Sequence, residues 1–230
     1  MDGLNSGDDA VAVGASWYDS RTDQGAIDKN NCGRVYVFYS DDSLSATYAS
    51  DADIIITGSA DDNYFGCALA SGDFIADVTG HDDLAVGAYG YDRYKGRVYV
   101  FSAATLVNSG GALDAEDDAD VILTGTTALQ AFGCSVASAG DFFGESGRDA
   151  VIVGAPGAST LLDMQSGKAF VYNMNDNQLQ ITVADYIIEG NANGASYGRA
   201  VTGLGDIDGD DDVDVAVGGR TKVEIHDSSE

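Results

Sequence analysis

Basic residues, prolines and long apolar runs are scarce in this sequence. Among its 230 residues are 11 Lys and Arg, 38 Asp and Glu and one Pro, and the formal charge is −27. Such a surface repels phosphate backbones and anionic lipids, so we expect no nucleic-acid partner. No apolar run approaches the roughly 18 residues that a membrane-spanning helix needs, so we expect no membrane insertion. The first residues lack the basic start and apolar core of a signal peptide.

Aspartate and glycine are abundant instead. Five of the 38 acidic residues are Glu, which leaves 33 Asp, and the chain has 30 Gly. Both residue types favour turns and loops. Since 44% of the residues are hydrophobic, the chain can also bury a core, and an all-β domain is expected. The acidity fits either divalent cations or adaptation to salt, and the composition does not separate these two causes.

One acidic loop, between Gly205 and Gly218, has the spacing of a calcium site. Asp206, Asp208, Asp210 and Asp214 occupy positions 1, 3, 5 and 9 of this loop. A tight turn with that spacing directs alternate carboxylates to one centre, and oxygen ligands of this kind suit Ca²⁺. The backbone carbonyl of Asp212 is expected to supply a fifth ligand. An EF-hand fits less well, because no Glu stands at position 12.

Four short motifs recur in the same order along the chain, which indicates a repeat protein. The first motif is centred on Phe-Gly or Tyr-Gly, and the second contains Val-Gly. The third alternates along the chain with a period of two residues, and the fourth ends in Gly. Copies of the first motif span 64–68, 131–135 and 196–200, and copies of the second span 11–15, 84–88, 151–155 and 215–218. Copies of the third span 33–38, 96–101, 167–172 and 221–225, and copies of the fourth span 54–58, 121–125 and 186–190. Four strands in each repeat predict the blades of a β-propeller.

The repeats resemble a known family, the FG-GAP repeat of the integrin α-subunit β-propeller. The resemblance is most complete where Phe132-Gly133 is followed by Gly154-Ala155-Pro156. It implies an acidic, calcium-binding loop between the first two strands of a blade. By this comparison only the loop that begins at Asp206 keeps the full ligand set, because Ile75 and Phe143 stand where the second ligand should be in the two preceding loops.

We therefore predict a single propeller domain over residues 1–230. Its four FG-GAP-like blades, each of about four antiparallel strands, span approximately 1–58, 59–125, 126–190 and 191–230. The first repeat lacks a Phe-Gly strand and the fourth stops after its third strand, so the expected strand numbers are three, four, four and three. The chain is then part of a seven-bladed ring, a small four-bladed ring, or a homodimer through open blade edges.

Loops between the second and third strands are predicted to face away from the calcium loops and to bind a partner. Aromatic and Arg side chains in such loops are common interface anchors. The candidates are Trp17, Tyr18, Arg21, Tyr89, Tyr91, Arg93 and Tyr94. The alternative is that these side chains fold back on the blades.

No catalytic residue is expected. His81 and His226 fit no catalytic motif and are expected at the surface. Cys67 and Cys134 are expected to be core thiols that form no disulfide with each other, and Cys32 an exposed thiol. The resemblance implies a non-catalytic, extracellular or cell-surface adhesion module that recognises a protein. The alternatives are a glycan-binding propeller, an accessory module of a secreted enzyme such as a phospholipase, and a purely structural repeat.

Overall fold

The fold is taken from a computed structural model of the chain. It describes residues 10–22, 24–39, 48–77, 79, 81–144, 147–159, 164–174, 180–209 and 213–227. Short strands dominate this part of the chain, as the all-β prediction required. None of the helices described is long and apolar enough to cross a membrane.

The strands and helices follow one another in short elements. The strands are β1 Ala10–Ala15, β2 Ser20–Arg21, β3 Ile27–Lys29, β4 Arg34–Tyr39, β5 Ile54–Thr57, β6 Leu69–Gly72, β7 Asp83–Ala88, β8 Arg97–Phe101, β9 Ala112–Asp114, β10 Val121–Thr124, β11 Ser135–Ser138, β12 Val151–Ala155, β13 Lys168–Tyr172, β14 Gln180–Ile181, β15 Tyr186–Glu189, β16 Ala200–Gly205, β17 Asp214–Gly218 and β18 Val223–His226. The helical segments are a 3₁₀ turn Ala49–Asp51, a turn α1 Tyr91–Tyr94 and a helix α2 Ala103–Asn108.

Four sheets correspond to the four predicted blades, and β2 and β3 form a separate hairpin. Antiparallel strands β1, β4 and β5 make blade 1; β6, β7, β8 and β10 make blade 2; β11, β12, β13 and β15 make blade 3; and β16, β17 and β18 make blade 4. The predicted all-β propeller architecture is thus confirmed, with three, four, four and three blade strands.

The Phe-Gly motifs stand just before the innermost strands and not within them. Phe65 makes a single parallel bridge to Gly33 of the preceding blade, as Phe132 does to Gly96. A left-handed backbone explains this, because φ is 85° at Gly66 and 83° at Gly133. Strand β6 therefore begins only at Leu69.

Three apolar cores lie between consecutive blades. The alternation of side chains along a strand sends neighbours to opposite blades. In β7, Val86 packs into the core shared with blade 1, whereas Ala85 packs into the core shared with blade 3. A third core joins blades 3 and 4 through residues such as Ile152 and Val215.

Glycine pairs let neighbouring blades approach at one point. A Cβ on Gly14 would lie 2.1 Å from the carbonyl oxygen of Gly66, and one on Gly87 would lie 2.1 Å from that of Gly133. The Val-Gly motifs of blades 1, 2 and 3 each contact the Phe-Gly or Tyr-Gly motif of the next blade in this way. The pairing explains why both motifs carry glycine at these positions.

Two further strands cover the outer edges of preceding blades. Strand β9 lies in the connection from β8 to β10 of blade 2, yet it pairs in parallel with β5 of blade 1. Strand β14 of the blade 3 connection pairs in the same way with β10 of blade 2. Each connection thus ties its own blade to the one before it.

The outer faces of the first and last blades are open. Val11 and Val13 of β1 are 49% and 48% exposed, and Val223 and Ile225 of β18 are 69% and 51% exposed. These faces would be buried if the two end blades packed against each other. Within the described residues these two faces do not pack against each other. The larger ring, the four-bladed ring and the homodimer therefore stay predictions.

Candidate functional site

The acidic loop of blade 4 brings three of its predicted ligands together. Carboxylate oxygens of Asp206, Asp208 and Asp214 all lie within 4.8 Å of one another. Ca²⁺ sits 2.3–2.6 Å from its oxygen ligands, so two ligands on opposite sides of one ion are about 4.8 Å apart. The three carboxylates therefore fit around a common cation. Asp210 and Asp212 lie outside the described residues.

The strand and the turn of the loop hold these carboxylates in place. Asp214 begins β17 and is only 3% exposed. Its Oδ2 accepts a hydrogen bond of 2.8 Å from the amide of Ile207, while Asp206 Oδ1 accepts one of 2.7 Å from the amide of Gly209. Backbone amides thus fix two ligands, and Gly209, with φ of 88°, provides the reversal between them.

In the equivalent loop of blade 2, backbone amides hydrogen-bond to the carboxylates of Asp83 and Asp77. Asp83 is 1% exposed, and its two oxygens accept amide hydrogen bonds from Phe74, Ile75 and Ala103 at 2.6–2.9 Å. Asp77 accepts another from Ala104 at 3.1 Å. The first amides of α2 therefore take the place that a cation would have. Burial raises the pKa of Asp83 to about 6.

The blade 3 loop has an apolar side chain where the second ligand would be. Phe143 packs edge-on against Phe142, with ring centroids 5.2 Å apart. Asp141 Oδ2 accepts a hydrogen bond of 2.9 Å from the amide of Gly147. Among the described residues, the cluster at Asp206, Asp208 and Asp214 is the one group of three or more such side chains that converges.

An aromatic cluster lies at the opposite end of the blades, where second and third strands are joined. Trp17, Tyr64, Tyr89 and Tyr94 form this aromatic cluster. Tyr64 stacks on Tyr89 with centroids 5.0 Å apart and planes 9° apart, and Trp17 meets Tyr64 edge-on at 5.0 Å. Trp17 and Tyr94 are 69% and 42% exposed, while Tyr64 is 7% exposed. The buried ring of Tyr64 thus packs against the exposed rings of Trp17 and Tyr94.

The other predicted binding residues do not join this cluster. Tyr18 lies under the guanidinium of Arg34, which is 3.9 Å from the ring centroid. Tyr91 covers Arg97 in the same way at 3.6 Å. These two tyrosines fold back on the blades, which is the alternative stated above.

The two predicted binding arginines also make local contacts. Arg21 donates through Nη1 to the carbonyl of Gly25 at 3.1 Å, within the β2–β3 hairpin. Arg93 Nε lies 3.6 Å from Asp92, and the Arg93 side chain is 85% exposed.

The thiols are free, and two of them are held in the protonated form. Burial raises the pKa of Cys67 to about 11 and that of Cys134 to about 12. Cys32 is 0% exposed and its thiol donates to the carbonyl of Tyr18 at 3.4 Å, so the expectation of an exposed Cys32 is wrong.

The two histidines differ in their surroundings. His81 is exposed, as expected. His226 is not a plain surface residue, since its Nε2 lies 3.1 Å from the hydroxyl of Tyr197.

Two features of these sites do not follow from the repeated motifs. The motifs place Tyr64 only before a Phe-Gly pair, whereas in the structure the rings of Trp17, Tyr89 and Tyr94 all contact it. A tyrosine directly before Phe-Gly, on the same face as Trp17, was the available signal. Helix α2 was also missed, although Ser102 before an Ala-rich segment is a common helix start, and its side chain accepts from the amide of Thr105.

No protein-family profile matches the chain. Curated relatives are integrin α subunits. The chain is 33% identical to integrin alpha-3 of Mus musculus over 162 residues, which cover 67% of the chain and 14% of that relative. It is 30% identical to integrin alpha-2 of Bos taurus over 166 residues, covering 68% of the chain and 13% of the relative.

The chain also matches an integrin α subunit from a third organism. Over 180 residues the chain is 29% identical to integrin alpha-PS2 of Drosophila melanogaster, which covers 74% of the chain and 12% of that relative. The matched region is thus a small part of each relative and most of this chain. With the repeated Phe-Gly and Val-Gly contacts between blades, these matches show that the chain carries an FG-GAP β-propeller region of the integrin α type.

Proposed function

We propose that the chain is a non-catalytic, calcium-stabilised propeller module that acts in adhesion at the cell surface or outside the cell. The observation that carries the proposal is the convergence of Asp206, Asp208 and Asp214 within 4.8 Å. Similarity to integrin α subunits supports the adhesive role. The ion would neutralise a loop whose carboxylates repel one another, and so would stabilise the start of β17.

Thermal unfolding in EDTA and in 10 mM Ca²⁺, at one fixed ionic strength, tests the metal site. Extracellular calcium modules bind at roughly 10⁻⁴–10⁻³ M, so this concentration gives about 1.4–2.7 kcal/mol of stabilisation. We expect Ca²⁺ to raise the Tm of the native chain and to leave that of Asp208→Ala unchanged. Fixed ionic strength removes charge screening from the comparison.

Asp141→Asn is the matched control, because it changes the first acid of the blade 3 loop, where Phe143 replaces a ligand. This variant is expected to keep the full response to Ca²⁺. An equal Tm increase in the native chain and in Asp208→Ala would assign the acids to general salt adaptation and remove the site.

The aromatic cluster is proposed as the surface that recognises a protein partner. Exposed Trp and Tyr rings supply large, rigid contact areas at interfaces. Trp17 is 69% exposed and Tyr94 42% exposed, although both contact Tyr64. Their position is fixed in advance, so a partner would lose little entropy in ordering them.

Adhesion of cells to surface-immobilised chain tests this assignment, with Trp17→Ala and Tyr94→Ala as loss variants. Tyr48→Ala is the control, since Tyr48 is 71% exposed but lies after β4, at the other end of the blades. We expect only the cluster variants to lose adhesion. A saccharide affinity that disappears in Trp17→Ala, without loss of protein-dependent adhesion, would instead favour the glycan-binding alternative.

A further inference from the structure

The turn α1 of blade 2 has an unusual backbone conformation. Three consecutive residues, Asp92, Arg93 and Tyr94, have φ of 42°, 59° and 62°. This left-handed conformation is unfavourable for residues that carry a Cβ. Left-handed residues also stand two positions before a glycine at Asn31 in blade 1 and at Gln165 in blade 3, as Tyr94 does in blade 2. Asp92 and Arg93 extend the left-handed turn of blade 2 beyond this repeated position.

A second strained segment, from the connection between blades 2 and 3, holds this turn in place. The amides of Leu129 and Ala131 donate to the carbonyls of Arg93 and Tyr94 at 3.1 Å and 2.8 Å. Leu129 and Ala131 are themselves left-handed, with φ of 65° and 54°. Gln130 between them is 2% exposed, and its Nε2 has no hydrogen-bond partner in the part of the chain that the structure describes. Strained backbone persists only where the surrounding structure over-determines it, and it is common at ligand-binding sites.

The two strained segments present three exposed side chains at the edge of the aromatic cluster. The side chain of Arg93 is 85% exposed, and Tyr94 and Leu129 are 42% and 69% exposed. All eleven Lys and Arg lie within the described residues, and five of them are exposed. Of these five, Arg93 is the one that directly neighbours a member of the cluster in the sequence. The aromatic cluster therefore continues into a surface where a cation lies beside apolar side chains.

The guanidinium of Arg93 keeps hydrogen-bond donors for a partner. Its Nε lies 3.6 Å from Asp92 Oδ1, which is too long for a hydrogen bond. The carboxylates of the neighbouring loop are directed to blade 1, because Asp61 accepts from the amide of Asn30 at 2.7 Å and Asp62 accepts from Asn31 Nδ2 at 2.9 Å. An incoming carboxylate would thus compete with Asp92 alone among these three acids.

We propose that Arg93 recognises the carboxylate of an acidic side chain in a protein partner, while Tyr94 and Leu129 contact an apolar side chain of the same segment. This rests on the proposed function, because it names the chemistry that the surface at the aromatic cluster recognises. A guanidinium donates two parallel hydrogen bonds to one carboxylate. The formal charge of −27 disfavours acidic segments over most of the surface, so Arg93 would set the position at which such a segment binds.

A positional-scanning library of immobilised hexapeptides tests the proposal with the full chain. One position is fixed as Asp, Glu, Asn, Gln or Lys, and the other positions are random. We expect roughly tenfold more chain to bind to the Asp and Glu peptides than to their Asn and Gln counterparts, because the neutral side chains lose the charged hydrogen bonds. Among the acidic peptides, those with an apolar residue near the fixed position should bind best.

Variants of the chain assign these preferences to single side chains. Arg93→Gln should remove the preference for acidic peptides, and Arg93→Lys should keep part of it, since Lys lacks the planar fork. Arg21→Gln is the matched control, because Arg21 is an exposed arginine of the β2–β3 hairpin. Leu129→Asn, which suits a left-handed backbone, should remove the preference for apolar neighbours and leave the ratio of acidic to amide peptides unchanged.

Asp92→Asn distinguishes recognition from a purely structural role of Arg93. Asn tolerates the left-handed conformation, and the substitution removes the carboxylate that competes for the guanidinium. We expect about two- to fivefold stronger binding of the Asp and Glu peptides at an unchanged Tm. A structural role of Arg93 would change the Tm and leave the binding ratio as it is.

Equal binding of acidic and amide peptides, a preference for Lys, or an Arg93→Gln variant with the native preference would overturn the proposal. So would a sialylated oligosaccharide that binds through Arg93 when the acidic peptides do not, because the carboxylate would then belong to a glycan. These results are separate from the test of the proposed function, which is decided by the adhesion of cells to Trp17→Ala.

Discussion

At the scale of single residues, glycine determines how closely two blades approach. Gly87 is in contact with Gly133 of the next blade, and a Cβ there would lie 2.1 Å from a backbone carbonyl. Backbone cannot move aside as a side chain can, so Gly87→Ala must shift one blade relative to the other. We expect a loss of about 1–3 kcal/mol in the free energy of unfolding, measured with urea.

Gly218→Ala is the control for this prediction. Gly218 has the same place in the Val-Gly motif of blade 4, but the nearest atoms to its virtual Cβ are 3.7 Å away. Its substitution should change stability by less than about 0.5 kcal/mol. Equal losses in the two variants would show that the cost comes from the strand itself and not from the contact between blades.

Asp83 gives the stability of the chain a defined dependence on pH. Its pKa is raised by burial from 3.8 to about 6, so between these values the folded state binds a proton that the unfolded state does not. The free energy of unfolding therefore falls as the pH rises from about 4 to about 6, by on the order of 2 kcal/mol.

Asp83→Asn removes this titration and leaves a less stable protein, because the side-chain amide cannot accept all three backbone hydrogen bonds. The difference in unfolding free energy between native chain and variant should therefore shrink across that pH range and stay constant above it. Denaturant titrations at several pH values measure it, and parallel curves between pH 4 and 6 would contradict the assignment.

At the scale of elements, the connection between the third and fourth strands of a blade hydrogen-bonds to the outer strand of the preceding blade. The amide of Ile55 in β5 donates to the carbonyl of Gly111 at 2.9 Å, and Ala115 donates back to Thr57 at 3.0 Å. Leu113 of β9 packs against the core shared by blades 1 and 2. A segment of blade 2 thus protects the outer strand of blade 1.

Leu113→Asp should disrupt the pairing of β9 with β5, because the carboxylate would have to move out of the apolar core. Hydrogen exchange at the Ile55 amide is expected to accelerate by roughly tenfold or more, although Ile55 and Leu113 belong to different blades. Ala112→Asp changes an exposed neighbour in the same strand and should leave that exchange rate unaltered. Acceleration in both variants would mean that any charge in β9 disturbs the pairing.

The repeated motifs predicted the blade strands, but they did not predict the short strands β9 and β14. Strands such as β7 and β12 carry the same alternating apolar motif at each repeat, so their positions could be derived from the pattern alone. Strands β9 and β14 are three and two residues long, which is too short for a periodic signal. Their partners belong to another blade, and only the packing of blades reveals them.

Of the two candidate sites, the metal cluster could be predicted from the sequence and the aromatic cluster could not. The metal cluster is local, since Asp206, Asp208 and Asp214 belong to one loop and their spacing alone predicts convergence. The aromatic cluster joins residues from different repeats. The neighbouring residues Trp17 and Tyr18 have different partners: the ring of Trp17 contacts Tyr64, whereas the guanidinium of Arg34 lies over the ring of Tyr18. No local pattern distinguishes them.

At the scale of the whole molecule, stability should vary along the arc of blades. The blades in the middle have a neighbour on each side, and every residue of β7, β8 and β12 is buried. The end blades have one neighbour each, and most positions of β1 are exposed. In a repeat array stability is approximately the sum of each repeat and its interfaces, so the ends should open first.

Hydrogen exchange with mass spectrometry of the native chain measures this gradient. Peptides covering β7, β8 and β12 are expected to exchange slowest, and those covering β1 and β18 fastest, in Ca²⁺ as well as in EDTA. Ca²⁺ should slow exchange in β17, which starts at Asp214, without reversing the order. Uniform exchange along the chain would show that the four blades unfold as one cooperative unit, and that the interfaces between them are stronger than the open end faces indicate.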